Sequence, residues 1–387
     1  MNPLAGKSIL LGITGGIAAY KVPELIRTLK RKDARVKVVM TENAKRFVSP
    51  LVIATLSDGL IPSLWEGSVT HISLAEEASL LCIVPADYNI IGKAASGIAD
   101  DLLSTVISAF DGEILFFPSM NYRMYNNPIL QKNINRLRDS GGTVIEPDTG
   151  ELAYEGMGKG RLPAASRIVL EIEKALTPDL LKGSYCLITG GGTREKIDPV
   201  RYITNRSSGR MAYSLAKCCY MANGKPELIM GITSSKDDEN LPYNLIRVEN
   251  AREMQEEILK RWDRVDYLFM SAAVSDFTCT SSAKKIKKKE KLDLKLKKNL
   301  DILLNLKNRK KEQSVVGFAL ESDNLLSYAK EKMKEKEVDL MVANDISSIG
   351  SDFTSGFLIF PGGEEPFKCR KDELSWKIVK RISSKKS

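Results

Sequence analysis

The sequence predicts an α/β protein built as two doubly wound domains in tandem, and three observations carry that prediction. Short apolar runs bounded by turn residues alternate with amphipathic helical stretches along the whole chain, the pattern of parallel sheets covered on both faces. A strand running into a glycine turn, "KSILLGITGG" (Lys7–Gly16), is matched in kind by a restart at "SYCLITGGGTREKID" (Ser184–Asp198). The 387 residues are enough for two cores. Between the halves, "KALTPDLLKG" (Lys174–Gly183) holds a Thr-Pro-Asp turn and no strand, so it reads as a linker. The boundary is placed near residue 180, giving domains of residues 1–178 and 179–387, each Rossmann-like/flavodoxin-like.

The elements follow in order. After the first strand, "IAAYKVPELIRTLKRK" (Ile17–Lys32) has the spacing of one amphipathic helix. Further strands are expected at Arg35–Met40, Leu80–Ala86, Glu113–Met120 and Gly142–Pro147, with helical patterns between them. In the second half the strands are Pro226–Ile232, Asp266–Asp276, Ser314–Ser322 and Asp339–Asp345. From Lys291 to Lys297, Leu292, Leu294 and Leu296 alternate with charged residues. That period of two predicts a half-buried strand in an arm or hairpin.

Composition narrows the function classes. Apolar residues at 43% and charged residues at 28% are near the globular average, which excludes a disordered chain. No apolar run approaches the roughly 20 residues of a membrane span, and Met1–Lys7 has no signal-peptide pattern, so a soluble cytoplasmic protein without membrane partners is expected. The six cysteines show no C-x-x-C spacing and the chain has one histidine, so no metal held by Cys or His is expected; buried reduced thiols are the better reading. The net charge of +9 suggests nucleic acid until it is located. Residues 283–311 hold thirteen Lys and Arg against three Asp and Glu, so the excess is a single patch. No aromatics interleave with those lysines to stack bases, and nucleic acid is not the expected partner.

In doubly wound sheets, ligands bind beyond the carboxyl ends of the strands. "TGGIAAYK" (Thr14–Lys21) lies at such an end, where Gly15 and Gly16 permit a tight turn and the following helix offers free N–H groups. The spacing is not G-x-G-x-x-G, and two glycines after a strand are by themselves an ordinary βα turn. His71, in "SVTHISLAEEAS", is the side chain whose ordinary pKa permits proton exchange near neutrality, although a lone histidine is more often structural.

Taken together, the motifs "TGGIAAYKVPELIRTLK", "HISLAEEA", "VPADYNIIGKAASGIADDLLST", "PSMNYRMY" and "GKGRL" occur in the order seen in FMN-containing cysteine decarboxylases. Residues 4–175 resemble phosphopantothenoylcysteine decarboxylase, with the P-x-M-N-x-x-M piece the most specific part. The resemblance implies a flavin that oxidises the substrate thiol so that the electrons of the departing carboxylate have an acceptor, then returns the hydride. It implies His71 as base, Asn121 on the substrate carboxylate, and Gly15, Gly16, Ile17, Thr41, Ala86 and Ser104 around FMN. One position departs: where the family has a proton-donating cysteine, "ELAYEGMGKGRL" has Tyr154. Tyrosine can donate a proton, but its reference pKa is about 10 against about 8.5 for cysteine.

"ITGGGTREKIDPVRYITNRSSGRMAYSLA" (Ile188–Ala216) is the most distinctive text in the chain. A three-glycine turn can approach phosphates closely. Ser207, Ser208 and Gly209 introduce a helix, and Arg194, Arg201, Arg206 and Arg210 cluster there for phosphate or carboxylate recognition. This text, with "SAAVSDF", "KKIKK", "KKNLDIL", "VVGFALES" and "DLMVAND", makes residues 184–382 resemble phosphopantothenate–cysteine ligase. The family's K-N-P-D-I reads here with Leu300 in place of proline, which should loosen that turn. The resemblance implies nucleotide contacts from Met270, Ser271, Ala272, Asp276 and Lys285, from Leu300, Asp301, Ile302 and Leu303, and from Phe318, Lys332 and Lys336. Asn205 would hold the acyl-nucleotide and Arg201 its neighbouring phosphate or carboxylate. Mg²⁺ would bridge the phosphates, and CTP is expected over ATP from the enzyme class, not from the residues.

The fused order resembles the bifunctional enzymes that make 4′-phosphopantetheine for coenzyme A, a class that forms homo-oligomers. Its partners would be small molecules: 4′-phosphopantothenate, cysteine and CTP. Two rivals stand beside this reading. One is a ligase carrying a flavoprotein half that is silent or stalls at the enethiol, for which Tyr154 is the only support. The other is a basic nucleotide- or RNA-binding protein without chemistry.

Overall fold

The structure is a computed structural model that describes residues 2–61, 70–151, 156–234, 242–287, 293–306, 309–321 and 324–385. The chain divides into two compact units between Thr177 and Pro178.

In the first unit six strands form one parallel sheet: β1 (Ser8–Ile13), β2 (Arg35–Met40), β3 (Gly59–Ile61), β4 (Leu80–Ala86), β5 (Ile114–Pro118) and β6 (Thr143–Val144), in the order β3-β2-β1-β4-β5-β6. All seven residues of β4 are buried, as expected of a central strand covered on both faces. The helices are α1 (Val22–Lys30), α2 (Pro50–Leu56), α3 (Thr70–Glu77), α4 (Tyr88–Ser96), α5 (Leu102–Ala109), α6 (Tyr122–Tyr125), α7 (Pro128–Asp139) and α8 (Ala165–Ala175). Leu25, Ile26 and Leu29 of α1 join Ile168 and Ile172 of α8 in one core layer. Ile90, Leu103, Val106 and Ile134 from α4, α5 and α7 build the other.

Two expectations change here. The helix predicted over Ile17–Lys32 starts as a 3-10 turn (Ile17–Lys21) and becomes α-helical at Val22. Pro23 has no N–H to continue a helix from the residues before it, yet suits a first turn. The strand expected at Gly142–Pro147 shortens to Thr143–Val144 and is followed by an antiparallel hairpin, β7 (Asp148–Glu151) and β8 (Met157–Arg161). That hairpin has a single β-branched residue, Thr149, and no aromatic, so it lacks the composition by which strands are recognised.

The second unit is a mixed sheet of eight strands. Its parallel part is β9 (Tyr185–Gly190), β12 (Lys225–Met230), β13 (Asn244–Arg247), β14 (Tyr267–Met270), β17 (Ser314–Glu321) and β18 (Leu340–Asp345). Two long strands, β19 (Phe353–Phe360) and β20 (Gly363–Arg370), add antiparallel, giving the order β13-β12-β9-β14-β17-β18-β19-β20. The wholly parallel sheet expected from sequence is thus corrected at one edge, where the Pro361-Gly362-Gly363 turn, with Gly362 at φ +94°, returns the chain without a crossover. Two small ribbons, β10 (Arg194–Lys196) with β11 (Tyr202–Thr204) and β15 (Phe277–Cys279) with β16 (Leu296–Lys298), complete the strands. The helices are α9 (Arg210–Met221), α10 (Ala251–Leu259), α11 (Leu325–Glu335) and α12 (Lys371–Ser383). α10 and α11 share a core layer with Ile302, Leu303 and Leu306, whereas α9 and α12 pack on one another.

The basic arm differs from expectation. Its strand covers only Leu296–Lys298, and Leu294 and Leu296 are 38% and 52% exposed, so the leucine face is not half-buried. Lys288–Leu292 lie outside the described residues. The cysteines are free thiols as expected, five buried and Cys369 partly so. No helix among the described residues is long and apolar enough to cross a membrane.

Candidate active sites

In the first unit the strand order reverses at β1: β2 and β3 extend to one side, and β4 returns to the other. The crevice beyond the ends of β1 and β4 is the ligand position of such a sheet. Gly15, Gly16 and Ile17 follow β1, and Ala86 closes β4. The two strand ends are clamped together. Thr14 Oγ1 donates to Pro85 O at 2.8 Å and accepts from Asp87 N at 2.9 Å, while Gly15 N donates to Asp87 Oδ2 at 3.1 Å. Burial pushes the Asp87 carboxyl above its ordinary range, against the bonds from Ile90 and Gly15. A Cβ at Gly15 would strike Asn43, and one at Gly16 would meet open space. The turn is therefore closed on one side and open on the other, and Ile17 beside it is 61% exposed.

The other expected groups lie on separate elements. Thr41 follows β2, and its Oγ1 accepts from Ala44 N at 3.3 Å. Ser104 is 2% exposed, with its hydroxyl engaged in the capping box of α5 with Asp101. His71 stands at the start of α3, whose Leu74 packs in the layer of Leu102 and Leu103. Asn121 follows β5 and caps the short α6 through Arg123 N at 2.8 Å. Among the described residues His71 makes no hydrogen bond to Asn121 or to the glycine turn. Tyr154 lies outside the described residues. The hairpin that leads to it is anchored beside Asn121, since Met120 N donates to Gly160 O at 3.0 Å and a Cβ at Gly160 would strike Met120 O.

In the second unit the carboxyl ends of the strands open into a cavity of about 760 Å³. Its floor comes from the end of β14: Met270, Ser271, Ala272 and Asp276 all line it. Ser271 Oγ donates to Thr189 O at 2.6 Å and Ala272 N to Thr189 Oγ1 at 3.3 Å, which fixes this segment on β9. Leu300, Asp301, Ile302 and Leu303 form one wall, with Phe318 of β17 behind them. Lys332 of α11 and Lys336, just past its end, also line the cavity, held by Glu321 at 2.6 Å and Asp301 at 3.1 Å. Asn205 also lines the cavity, its Nδ2 donating to Val274 O at 2.9 Å.

The glycine turn of this unit serves the backbone. Gly191 has φ +74°, and a Cβ there would lie 2.8 Å from Ile232 O. Gly209, at φ +73°, starts α9 against Thr233 in the same left-handed region.

The expected arginine cluster is divided. Arg206 and Arg210 line the cavity, whereas Arg194 stacks on Tyr202 at 4.1 Å. Arg201 and Lys285 do not line this cavity. Asp198, 2% exposed, holds Arg201 Nη1 at 2.7 Å and accepts from Ile286 N at 3.1 Å, tying both to the β10–β11 ribbon. Burial works against this carboxylate, but hydrogen bonds from Val200, Ile286 and Arg201 hold its pKa below the ordinary range. Sequence reasoning missed Asp198, although "DPVR" puts it three residues before Arg201. It also missed Lys371, which lines the cavity from α12. Among the described residues no group of three or more His, Cys, Asp or Glu is placed to hold a metal ion.

The family described as "Flavoprotein" matches residues 2–177, and "DNA/pantothenate metabolism flavoprotein C-terminal domain" matches residues 181–385. The chain is 38% identical over 385 residues to "Coenzyme A biosynthesis bifunctional protein CoaBC" of Borreliella burgdorferi, covering 97% of this chain and 98% of that one. It is 40% identical over 402 residues to the protein of the same description from Bacillus subtilis, covering 98% of each. A solved structure of the C-terminal domain of such a protein is 30% identical, covers 53% of this chain and 97% of its own, and has a TM-score of 0.45.

Proposed function

Because this chain belongs to the family of coenzyme A biosynthesis bifunctional proteins, enzymes with decarboxylase and ligase activities in one chain, we propose that each unit carries one of the two reactions. The second unit joins 4′-phosphopantothenate to cysteine through an acyl-cytidylate made from CTP. The first unit, with FMN, decarboxylates the product to 4′-phosphopantetheine. What most supports this reading is the 760 Å³ cavity, which gathers the nucleotide residues expected from sequence, apart from Lys285, with Asn205 beside them.

In the ligase half catalysis is neutralisation and positioning. Lys332 and Lys336, already oriented by Glu321 and Asp301, meet the charge of the nucleotide. The backbone of Leu300–Leu303 receives the base, and Asn205, anchored on Val274, holds the acyl phosphate for attack by the cysteine amine. Among the described residues no carboxylate cluster is placed to hold a metal, so Mg²⁺ would enter on the triphosphate, with Asp276 a cavity carboxylate available to orient it. Arg201 and Lys285 act from the ribbon and arm that Asp198 joins, in a homo-oligomer.

In the decarboxylase half the crevice fits a flavin: the open Gly16 side and the exposed Ile17 leave room beside Ala86. Gly15, Gly16, Ile17, Thr41, Ala86 and Ser104 would border it. Flavin there supplies reversible two-electron oxidation of the substrate thiol. Asn121 holds the substrate carboxylate through its amide, His71 takes the thiol proton, and the Tyr154 hydroxyl returns a proton to product.

The test is the mass of the product formed when purified protein meets 4′-phosphopantothenoylcysteine. Loss of CO₂ with the hydrogens of phosphopantetheine supports the full cycle. The enethiol mass means that Tyr154 does not complete it, and unchanged substrate leaves a ligase with a silent first unit.

A further inference from the structure

The Asn205 amide is assigned above to the acyl phosphate, yet it stands in an exposed place. Thr204 ends β11, Asn205 follows it, and both are exposed. A side chain there ordinarily samples several rotamers, so something must hold this one at the cavity wall.

The holding device is a closed ring of hydrogen bonds through Thr193, which lies between β9 and β10 and is 0% exposed. Thr193 Oγ1 accepts from Ser275 N at 2.9 Å. That N–H belongs to the same peptide unit as Val274 O, which accepts from Asn205 Nδ2 at 2.9 Å. From the other side, Thr204 Oγ1 donates to Thr193 O at 2.7 Å. The ring therefore runs from Thr193 through the 274–275 peptide to the Asn205 side chain, then along the chain to Thr204 and back. Its parts are pressed close. Thr193 N donates to Ala273 O at 3.4 Å and Ala273 N to Gly191 O at 2.8 Å, laying the segment after β14 on the glycine turn. A Cβ at Gly192 would lie 2.7 Å from Asn205 O and 3.3 Å from Thr204 Oγ1, so the end of β11 sits directly on that turn.

The ring is directional. A peptide whose N–H donates to a hydroxyl accepts better at its C=O, because hydrogen bonds in a chain polarise one another. Thr193 thus strengthens the acceptor that Asn205 uses. A reversed amide would set the Asn205 and Val274 oxygens against each other, so the ring also fixes which end of the amide meets Val274. We propose that Thr193 is a positioning residue of the ligation: its hydroxyl holds the 274–275 peptide, and through it the Asn205 amide, in the orientation needed at the acyl phosphate. That role rests on the ligase reading of the second unit. Thr193 does not itself line the cavity and acts through these neighbours. Asn299 Nδ2 donates to Ser275 O at 2.9 Å, but the nucleotide wall beyond it is held separately by Ile302 and Leu303 in the core layer. The effect therefore belongs to turnover and not to nucleotide affinity.

The test uses the full chain. Thr193→Val keeps the shape and removes the hydroxyl, Thr193→Ser keeps the hydroxyl, and Thr204→Val opens the ring at an exposed residue. Ligation is followed as pyrophosphate release and as product mass over a range of CTP. In Thr193→Val the kcat falls about tenfold, as for a buried N–H left without its partner, while the KM for CTP stays within about twofold. Thr193→Ser recovers most of the loss, and Thr204→Val lowers kcat about threefold. In an Asn205→Ala background Thr193→Val changes kcat by less than about twofold, because the amide it orients is gone. The same fall in both backgrounds would mean that Thr193 does not act through Asn205, and would overturn the proposal. A KM for CTP that rises as kcat falls, or a Thr193→Ser protein as slow as Thr193→Val, would overturn it as well, by making Thr193 a general support of the cavity. If Thr193→Val does not fold, Thr204→Val decides, and an unchanged kcat there overturns the proposal. An unaltered protein that releases no pyrophosphate with any nucleoside triphosphate brings down the ligase reading itself, a result distinct from these.

Discussion

The two units place their ligand sites at the same edge of a doubly wound sheet but complete them to different degrees. The second unit encloses about 760 Å³ within one chain, with floor, wall and cations drawn from β14, the Leu300–Leu303 turn and α11. The first unit offers a crevice whose rim is exposed, Ile17 at 61% and Tyr20 at 63%, and whose acid–base candidates share no hydrogen bond among the described residues. The difference teaches that a strand-end glycine turn locates a site without closing it. In the second unit a long return through β19, β20 and α12 brings Lys371 back over the strand ends. Among the described residues of the first unit the corresponding element is the short β7–β8 hairpin.

The strongest way to break the comparison is to ask whether the open site is catalytic at all. His71→Asn is expected to lower decarboxylation about 10²- to 10⁴-fold, the usual contribution of a general base, while pyrophosphate release by the second unit is unchanged. Product analysis by mass spectrometry alongside a pyrophosphate assay checks both halves in one sample. Decarboxylation that survives in His71→Asn would remove the acid–base role assigned to α3.

The enclosed site should answer in the opposite sense. Asn205→Ala removes an amide anchored on Val274 at the cavity wall, and ligation is expected to fall about 10- to 100-fold. Decarboxylation of added 4′-phosphopantothenoylcysteine should stay at its original rate. If both activities fall together, the two sites are not independent and the comparison fails.

A smaller effect is expected at Asp198, which acts through other residues. Asp198→Asn keeps the shape but loses the charge that holds Arg201, and also weakens the bond from Ile286 N. The ligation kcat is expected to fall about tenfold with the KM for CTP unchanged, because the nucleotide wall does not include the ribbon. A shift in the CTP KM instead would place Asp198 in support of the cavity itself.

These residues also show what was legible in the sequence. Strand ends and glycine turns are local chemistry, and the text around Asn205 and Ala272 led directly to the cavity wall. Lys371 was not legible. In "CRKDELSWKIVKRISSKKS" it looks like one more solvated charge, and only the packing of α12 on α9 brings it to the cavity. Arg201 was named from the family resemblance, but its pairing with the buried Asp198 was not legible. The leucine alternation of the arm predicted a strand through Leu294, but the strand begins at Leu296 and both leucines are exposed, since period says nothing of what covers a face.

The smallest expected effect concerns what holds the β7–β8 hairpin of the first unit in place. Glu146, between β6 and β7, accepts from Tyr125 Oη at 2.7 Å and Arg138 at 2.5 Å, and pairs with Lys159 of β8 at 2.7 Å. Burial alone would raise its pKa, but the bonds from Lys159, Tyr125 and Arg138 outweigh it and hold the carboxyl down at about 2. A folded pKa below the unfolded value means that the native state gains from ionisation. The gain is fully present above the ordinary value of 4.5 and is lost as pH falls from there toward 2. Because the side chain is 50% exposed, solvent screens most of the shift, and about 1 kcal/mol is a fair expectation. Glu146→Gln should therefore lower the unfolding midpoint of the first unit by a few degrees at pH 7, and the gap to the unaltered protein should narrow toward pH 3. The second unit's transition, followed in the same calorimetric scans, should not differ between the two proteins at either pH. A gap that is constant with pH would mean that the hairpin is held by packing, and the cluster around Glu146 would lose its part in keeping the open site partly closed.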